Sequence, residues 1–569
     1  MNFVIAYLTV MAISVDVAML LACTLKYLNK NIAVLSLAAG LTIGIYVLLK
    51  PKLLPKLEKK DFDFWSIAAI LTFILISLRA FLWLIFQSGD TIRVLSPNNL
   101  GDISLHINYI NYFTSGVKFW PDNSIFFGDK IRYPIGVDLF NSLLLLSGVD
   151  LIKGLIWVGL LSAFATCFAL FLWGRAFTVA GFLFNGGLAG LIFFKTFHFT
   201  DFQAELAWKN IVLSMFVTQR GLLYAFPVGL LLLYSFRQRY FNNEENLKPP
   251  LPLWLEILLY TSMPIFHFHT FIYFTLLLGI WILVLPLKQK LSILKLVLPS
   301  IPLATFFVFL LTDNLRASSQ IHIKWGWMQG NENFFKFWLF NFGIFWPLVI
   351  FLCYKLIKDS TAKDFFNKPS NIFVFPAVIL FVVFTNVMMA GWEWDNAKLL
   401  VWSYIILLPF LWEKLISKWQ SFEQNITCFM LFVSGFVCVF GGFPSNQGYE
   451  VFRFSEVTEV KKAIKAIPAE HRFAAFPTYN HPVLLNGRKV VLGYPGWLWS
   501  HGYKVEGKDE KLKRLMMGDS EWRNLARELG VNYIFWGHRE MQEYRDSTKP
   551  WEKEALKITE GEWGAIYGI

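Results

Sequence analysis

Asp102 and His106 stand four residues apart in Leu100-Gly101-Asp102-Ile103-Ser104-Leu105-His106, a spacing that puts both on one face of a helix. Ile103, Ile107 and Ile110 follow the same period, so this helix is expected to lie along a membrane surface. A carboxylate held there can serve as a general base on an acceptor hydroxyl or amine, or can hold a divalent cation such as Mg2+ or Mn2+. The plainer account is that Asp102 stabilises a helix N-terminus through the dipole and first-turn amides. Spacing alone leaves both open. Arg132-Tyr133-Pro134 closes the same polar segment and supplies a candidate phosphate contact, Arg132, beside a candidate substrate-binding ring, Tyr133.

A second cluster is Gly391-Trp392-Glu393-Trp394-Asp395-Asn396-Ala397-Lys398. Lys398 can neutralise a phosphate, and Glu393, Asp395 or Asn396 can hold sugar hydroxyls. Trp392 and Trp394 can stack on a sugar ring or simply anchor the membrane interface. Lys398 falls just inside an apolar run, where a charge is costly and usually functional. Arg220, opening another apolar run, is a further candidate phosphate contact. Asp201, Glu205 and Lys209, spaced by four, suit an ion-pair ladder on a helix. His267 and His269 are expected to be satisfied polar groups rather than metal ligands, since no third ligand accompanies them. Asp16, inside the first apolar run, is expected to pair within the bundle or to face water.

These groups must be positioned by apolar elements. Of 569 residues, 56% are hydrophobic, 18% aromatic and only 16% charged. A soluble protein this long carries charge on about a quarter of its residues, and here the apolar residues fall in blocks long enough to cross a bilayer. A soluble enzyme, a secreted disulfide scaffold and a disordered chain are excluded. The five cysteines lie within or at the edges of apolar runs, so neither disulfides nor a structural zinc are expected. The start of the chain lacks a basic region ahead of its apolar run, so that run is expected to stay as an anchor.

About thirteen spans are expected, near 3–25, 32–49, 64–86, 151–173, 179–195, 218–236, 253–268, 270–286, 296–311, 338–356, 372–390, 397–413 and 424–442. The stretch 136–148 is too short to cross and is expected as a half-helix. With the N-terminus inside, Lys and Arg make up 18 of 72 residues in the inner loops and 10 of 109 in the outer ones, which sets the orientation. The net charge of +12 belongs mostly to residues 1–442, where 33 basic residues oppose 23 acidic ones. The remainder, 443–569, holds 19 against 17, so no nucleic-acid partner is expected. That remainder is expected to be a small α/β domain outside the membrane, with strands at 472–476, 483–492 and 531–536 and helices near 508–529. Its run Gly493 to Gly502, with Trp499 and His501, is a candidate carbohydrate-stacking surface or a set of turns with a docking tryptophan.

Together, the spans, an acidic residue early in the long first outer loop, a surface helix and Tyr133-Pro134 before the next span resemble the GT-C superfamily of integral-membrane glycosyltransferases. Protein mannosyltransferases, aminoarabinose transferases and oligosaccharyltransferase catalytic subunits belong to it. The tail is similar to the C-terminal domain of bacterial membrane proteins grouped with these enzymes. The resemblance covers 64–442, with two extra spans in 1–63 ahead of it and the domain 443–569 behind. It implies that Asp102 is the catalytic base or metal ligand. The implied donor is a polyprenyl-phosphate sugar, the acceptor a glycan, lipid or protein, and the place a bacterial inner membrane with the tail in the periplasm. Asp102 stands alone rather than in a paired acidic motif, which argues against metal dependence. A flippase for lipid-linked glycans and a non-catalytic scaffold of envelope assembly are the rivals. The first requires charges deep in the spans and inverted repeats, and the sequence has few of the former and no clear sign of the latter.

Overall fold

A computed structural model describes residues 2–569 except 51–52, 54–56, 242–250, 316–320, 362–363 and 444–446, so parts of the basic loops expected at 50–63, 237–252 and 355–371 lie outside the described residues. Among the described residues, seven helices are long and apolar enough to cross a bilayer: Asn2–Leu25, Lys30–Leu49, Phe64–Leu82, Leu151–Leu183, Leu287–Leu311, Glu393–Lys418 and Ser421–Gly442. The pair Phe334–Phe342 and Phe345–Lys358, bent by 90°, makes an eighth if it is one broken span. The chain is a multi-pass membrane protein.

The count therefore falls from about thirteen to seven or eight. Apolar runs at Leu253–Phe266, Phe268–Val284 and Pro369–Phe384 form helices, but shorter ones. The spans expected at 151–173 and 179–195 part at Gly174 and Arg175, a kink inside Leu151–Leu183, as expected, but the second stretch ends at Leu183 instead of 195. A hydropathy window marks where apolar residues run but not how long the helix built from them will be. Gly136–Leu146 is the short helix expected at 136–148.

Asn2–Leu25 and Lys30–Leu49 pack closely because Gly40 and Gly44 face the first helix. A Cβ at Gly40 would lie 2.1 Å from Ser14 Oγ, and one at Gly44 2.4 Å from Val10 Cγ2. Small residues at a helix crossing let backbones approach where lipid supplies no hydrophobic drive.

Outside the bundle, Phe86–Ser88 and Thr91–Val94 form a hairpin, and Tyr449–Arg453 from the tail adds a third antiparallel strand. The tail's own sheet has five strands in the order Lys489–Val490, Arg472–Ala474, Tyr533–Gly537, Gly564–Gly568, Leu556–Gly561. The first three run parallel and the last two antiparallel. Residues 482–485 are helical rather than extended, because Pro482 opens a short helix and His481 accepts from Val483 N at 3.2 Å. The strand expected at 483–492 shrinks to Lys489–Val490.

The helix Leu100–Thr114 does not lie open on a membrane surface. Ile103, Ile107 and Ile110 are buried, and so are Ser104, Asn108 and Tyr112 on its other sides. It is covered by Gly136–Leu146 on one side and by the tail on the other, where Asn111 Nδ2 donates to Leu485 O at 2.7 Å. Gly487, with φ 65°, makes this approach possible: a Cβ there would lie 2.3 Å from Tyr112 N. Gly487→Ala therefore combines a left-handed backbone with a collision. It should cost about 3 kcal/mol, read as a lower melting temperature of the detergent-solubilised protein; an unchanged melting temperature would show that the tail yields there freely.

Candidate active site

Asp102 lies in the first turn of Leu100–Thr114 and is half-buried. Its Oδ2 accepts from Gln219 Nε2 at 3.1 Å. Gln219 Oε1 in turn accepts from Lys398 Nζ at 2.9 Å, and Lys398 Nζ is 2.6 Å from Asp395 Oδ1. Three distant segments thus meet in one chain of contacts: the first outer loop, the turn ahead of Leu222–Phe241, and the start of the helix at Glu393. An ammonium only donates, so Lys398 fixes the oxygen of Gln219 toward itself and the amide toward Asp102. Asp102 is thereby offered a donor, which favours its carboxylate form. Burial pushes the Asp102 carboxyl up to about 6, with His106, Lys398 and the Gln219 bond opposing and Asp395 adding to the rise. A base poised there is ionised at neutral pH and still basic enough to take a proton.

Behind Asp102, His106 Nδ1 lies 2.8 and 2.9 Å from the two oxygens of Asp138, and both residues are buried. This pairing commits Nδ1 and fixes the ring. Arg220 is 1% exposed, donates from Nη2 to Leu155 O at 3.0 Å and lies in the field of Asp138. It lies inside the bundle, deeper than the interfacial position the sequence suggested. Helix periodicity does not reveal depth, and its position at the edge of an apolar run gave no sign of this.

Tyr133 packs 6.1 Å from His106 and 4.9 Å from His501, ring to ring. Its hydroxyl feels Asp102, Asp138 and Asp395, and burial holds it well above the usual tyrosine range. Arg132 bonds Asp129 Oδ2 at 2.7 Å and lies 4.4 Å over the Tyr503 ring. It clamps the loop onto the tail instead of pointing freely at a ligand. Burial pushes His501 down to about 4, Asp395 opposing and Lys398, Arg132 and His106 adding. It is neutral at pH 7 and can hydrogen-bond a sugar without repelling a cation.

Asn396 is committed elsewhere: Nδ2 donates to Phe384 O at 2.8 Å and Val387 O at 3.0 Å, while Oδ1 accepts from Met389 N at 2.8 Å. It ties a turn together, with both amide hydrogens committed to backbone carbonyls and one lone pair of Oδ1 taken. Glu393 pairs with Lys324 at the surface. Trp392 meets Trp499 across the junction with the tail at 5.3 Å, and Trp499 remains 60% exposed. The segment carrying Asp201, Glu205 and Lys209 forms turns and not a helix; Lys209 sits 5.2 Å over Trp394. His267 caps Phe268–Val284 through Thr270 N at 3.2 Å. Asp16 accepts from Ser262 Oγ at 2.6 Å.

Gln219 and Asp138 are the residues that sequence reasoning missed. Gln219 had only its adjacency to Arg220, and Asp138 only its place in the first turn of a short helix. Among the described residues, no three His, Cys, Asp or Glu side chains converge as metal ligands. Asp102 and Asp395 each have one oxygen engaged, by Gln219 and Lys398 respectively.

No protein family matches the sequence, and no curated protein matches it either. Among solved structures, the chain is similar to the oligosaccharyltransferase of the archaeon Archaeoglobus fulgidus. The apo form shares 10% identity over 85% of this chain and 71% of that one, with a TM-score of 0.41. The same comparison with AglB bound to an inhibitory peptide and a dolichol-phosphate gives 11%, 84%, 70% and 0.38; the complex with Zn and sulfate gives 10%, 82%, 67% and 0.43. At such scores the likeness assigns neither residues nor activity.

Proposed function

We propose that the protein is a membrane glycosyltransferase of GT-C type that works at the outer face of a bacterial inner membrane, taking a sugar from a polyprenyl-phosphate donor. The observation that carries this reading is the chain Asp102–Gln219–Lys398–Asp395, in which a carboxylate and a lysine meet through one glutamine at one mouth of an apolar bundle. An acceptor hydroxyl or amine on a glycan, lipid or protein gives its proton to Asp102. Its heteroatom bonds to the anomeric carbon as the bond from that carbon to the phosphate oxygen breaks. The electron pair leaves with the phosphate, whose charge Lys398 balances. One displacement inverts the anomeric centre. Positioning and charge balance supply most of what such a step needs, since the leaving phosphate is a stable anion. His501, Trp392 and Trp499 line the junction where the sugar would rest.

Deletion cells and cells restored with the wild-type chain provide the test, compared by mass spectrometry of envelope glycans and lipid-linked sugars. One sugar should disappear from an acceptor while its polyprenyl-phosphate donor accumulates. Identical profiles would exclude transfer, and a donor trapped on the inner leaflet would identify a flippase.

The raised Asp102 also sets a pH dependence. Only the carboxylate accepts a proton, so transfer should rise with pH through about 6 and level off above 7. A rate in proteoliposomes that is flat between pH 5 and 7.5 would remove Asp102 from the role of base.

A further inference from the structure

The far ends of three helices enclose a cavity of about 310 Å³, lined in part by Trp173, Arg175, Tyr234, Arg237, Trp412 and Glu413. Glu413 stands fifteen positions beyond Lys398 on the same helix, about 22 Å at the helical rise. Arg237 lies as far along Leu222–Phe241, whose start carries Gln219 and Arg220 just ahead of it. The cavity is thus separated from Asp102 by most of the hydrocarbon thickness, about 30 Å, and it has no part in the transfer site.

A helix break and a proline inside the neighbouring helix meet at its wall. Leu151–Leu183 breaks at Gly174 (φ −160°, ψ 30°) and Arg175 (φ 56°, ψ −154°). The second conformation belongs almost to glycine alone and costs about 1–3 kcal/mol in any other residue. Gly174 cannot be larger, since a Cβ would lie 2.0 Å from Thr178 Oγ1 and 2.8 Å from Pro409 Cβ. On the neighbouring helix, Pro409 removes the amide that would bond Ile405 O, and Trp173 Nε1 donates to that carbonyl instead at 3.1 Å. Irregular backbone at membrane depth survives only when it is buried in protein or lines a polar cavity. Here it lines one.

The walls carry both signs. Arg237 forms a two-pronged pair with Glu413, at 3.1 and 2.7 Å, and its guanidinium lies 5.0 Å over the Phe410 ring. Arg175 pairs with Asp61 at 3.0 Å and lies 5.1 Å over Phe171. Neither arginine is sealed: the side chains of Arg175 and Arg237 are 48% and 24% exposed, and that of Glu413 is 37% exposed. A purely anionic ligand would gain from the guanidiniums and be repelled by Glu413. A ligand with a phosphate and an ammonium satisfies both, with its phosphate on the arginines and its ammonium on the carboxylate and the rings of Tyr234 and Trp412.

We propose that this cavity seats the headgroup of a zwitterionic phospholipid, with the phosphate against Arg175 and Arg237 and the ammonium against Glu413. The acyl chains stay in the bilayer around the helix ends. The site is independent of the transfer reaction and stands or falls without it.

Native mass spectrometry of the full, delipidated protein tests this, with phosphatidylethanolamine, phosphatidylcholine or phosphatidylglycerol added back singly. Wild type should retain one zwitterionic lipid about tenfold more than phosphatidylglycerol. Glu413→Gln should abolish that preference while keeping phosphatidylglycerol binding. Arg175→Gly relieves the left-handed residue, so it should fold, yet it should weaken retention of every phospholipid several-fold. A melting temperature for each variant separates loss of binding from loss of structure. Equal retention of the three lipids by wild type, retention of none, or a preference for phosphatidylglycerol would overturn the proposal. So would unchanged retention in both folded variants.

Discussion

Asp102→Asn is expected to lower sugar transfer by about 10²- to 10⁴-fold while leaving the protein folded and its melting temperature nearly unchanged. The substitution keeps the shape of the side chain, and an asparagine carbonyl can still accept from Gln219 Nε2, which now lies 3.1 Å from Asp102 Oδ2. Only proton acceptance is lost. The drop corresponds to about 3–5 kcal/mol of transition-state stabilisation, large enough to read in proteoliposomes from the release of polyprenyl phosphate. In cells, the sugar-loaded donor should accumulate, as is expected in the deletion. A variant that transfers within tenfold of wild type would leave Asp102 as no more than a helix-start residue.

Lys398→Met should harm the protein twice. The Lys398 and Asp395 side chains are only 9% and 16% exposed, so removing the ammonium strands a carboxylate and leaves the Gln219 oxygen without its donor. Breaking a buried pair from one side costs about 3–5 kcal/mol. Transfer should also fall by about 10²-fold through loss of the charge that balances the leaving phosphate. The two effects are separable. Adding Asp395→Asn removes the stranded charge, so the double variant should regain most of the lost melting temperature and none of the lost transfer. Recovery of both would make Lys398 a structural partner of Asp395 alone.

Much of this site was legible because polar residues interrupt apolar runs conspicuously. Asp102 and Lys398 stood out in that way, and the structure brings them to the same glutamine. What hydropathy could not convey was depth and company. Arg220 looked like an interfacial cation but lies inside the bundle beside Asp138, and Asn396 looked like a sugar ligand but is spent on three backbone groups. The buried flank of Leu100–Thr114 was hidden for a related reason. The helix read as lying along a membrane surface, whereas the tail that Asn111 bonds at Leu485 comes about 370 residues later in the chain. Span counting failed on length: the runs at 253–268, 270–286 and 372–390 are apolar, but their helices are shorter than a crossing needs, while the break between 151–173 and 179–195 falls at Gly174 and Arg175 as the sequence suggested.

The strand Tyr449–Arg453, which completes the hairpin of the first outer loop, also sets a schedule. Ribosomes deliver the chain from its N-terminus at about 5–20 residues per second, so residues 86–114 wait tens of seconds for the strand and domain that cover them. Every apolar helix must be inserted before the Asp102 helix receives its roof. During biosynthesis the half-built loop presents an open strand edge, the kind of surface on which other chains join. A stop codon just after Gly442 would spare Asp102, Gln219, Asp395 and Lys398, yet the chain it produced should expose that edge and be cleared by membrane proteases.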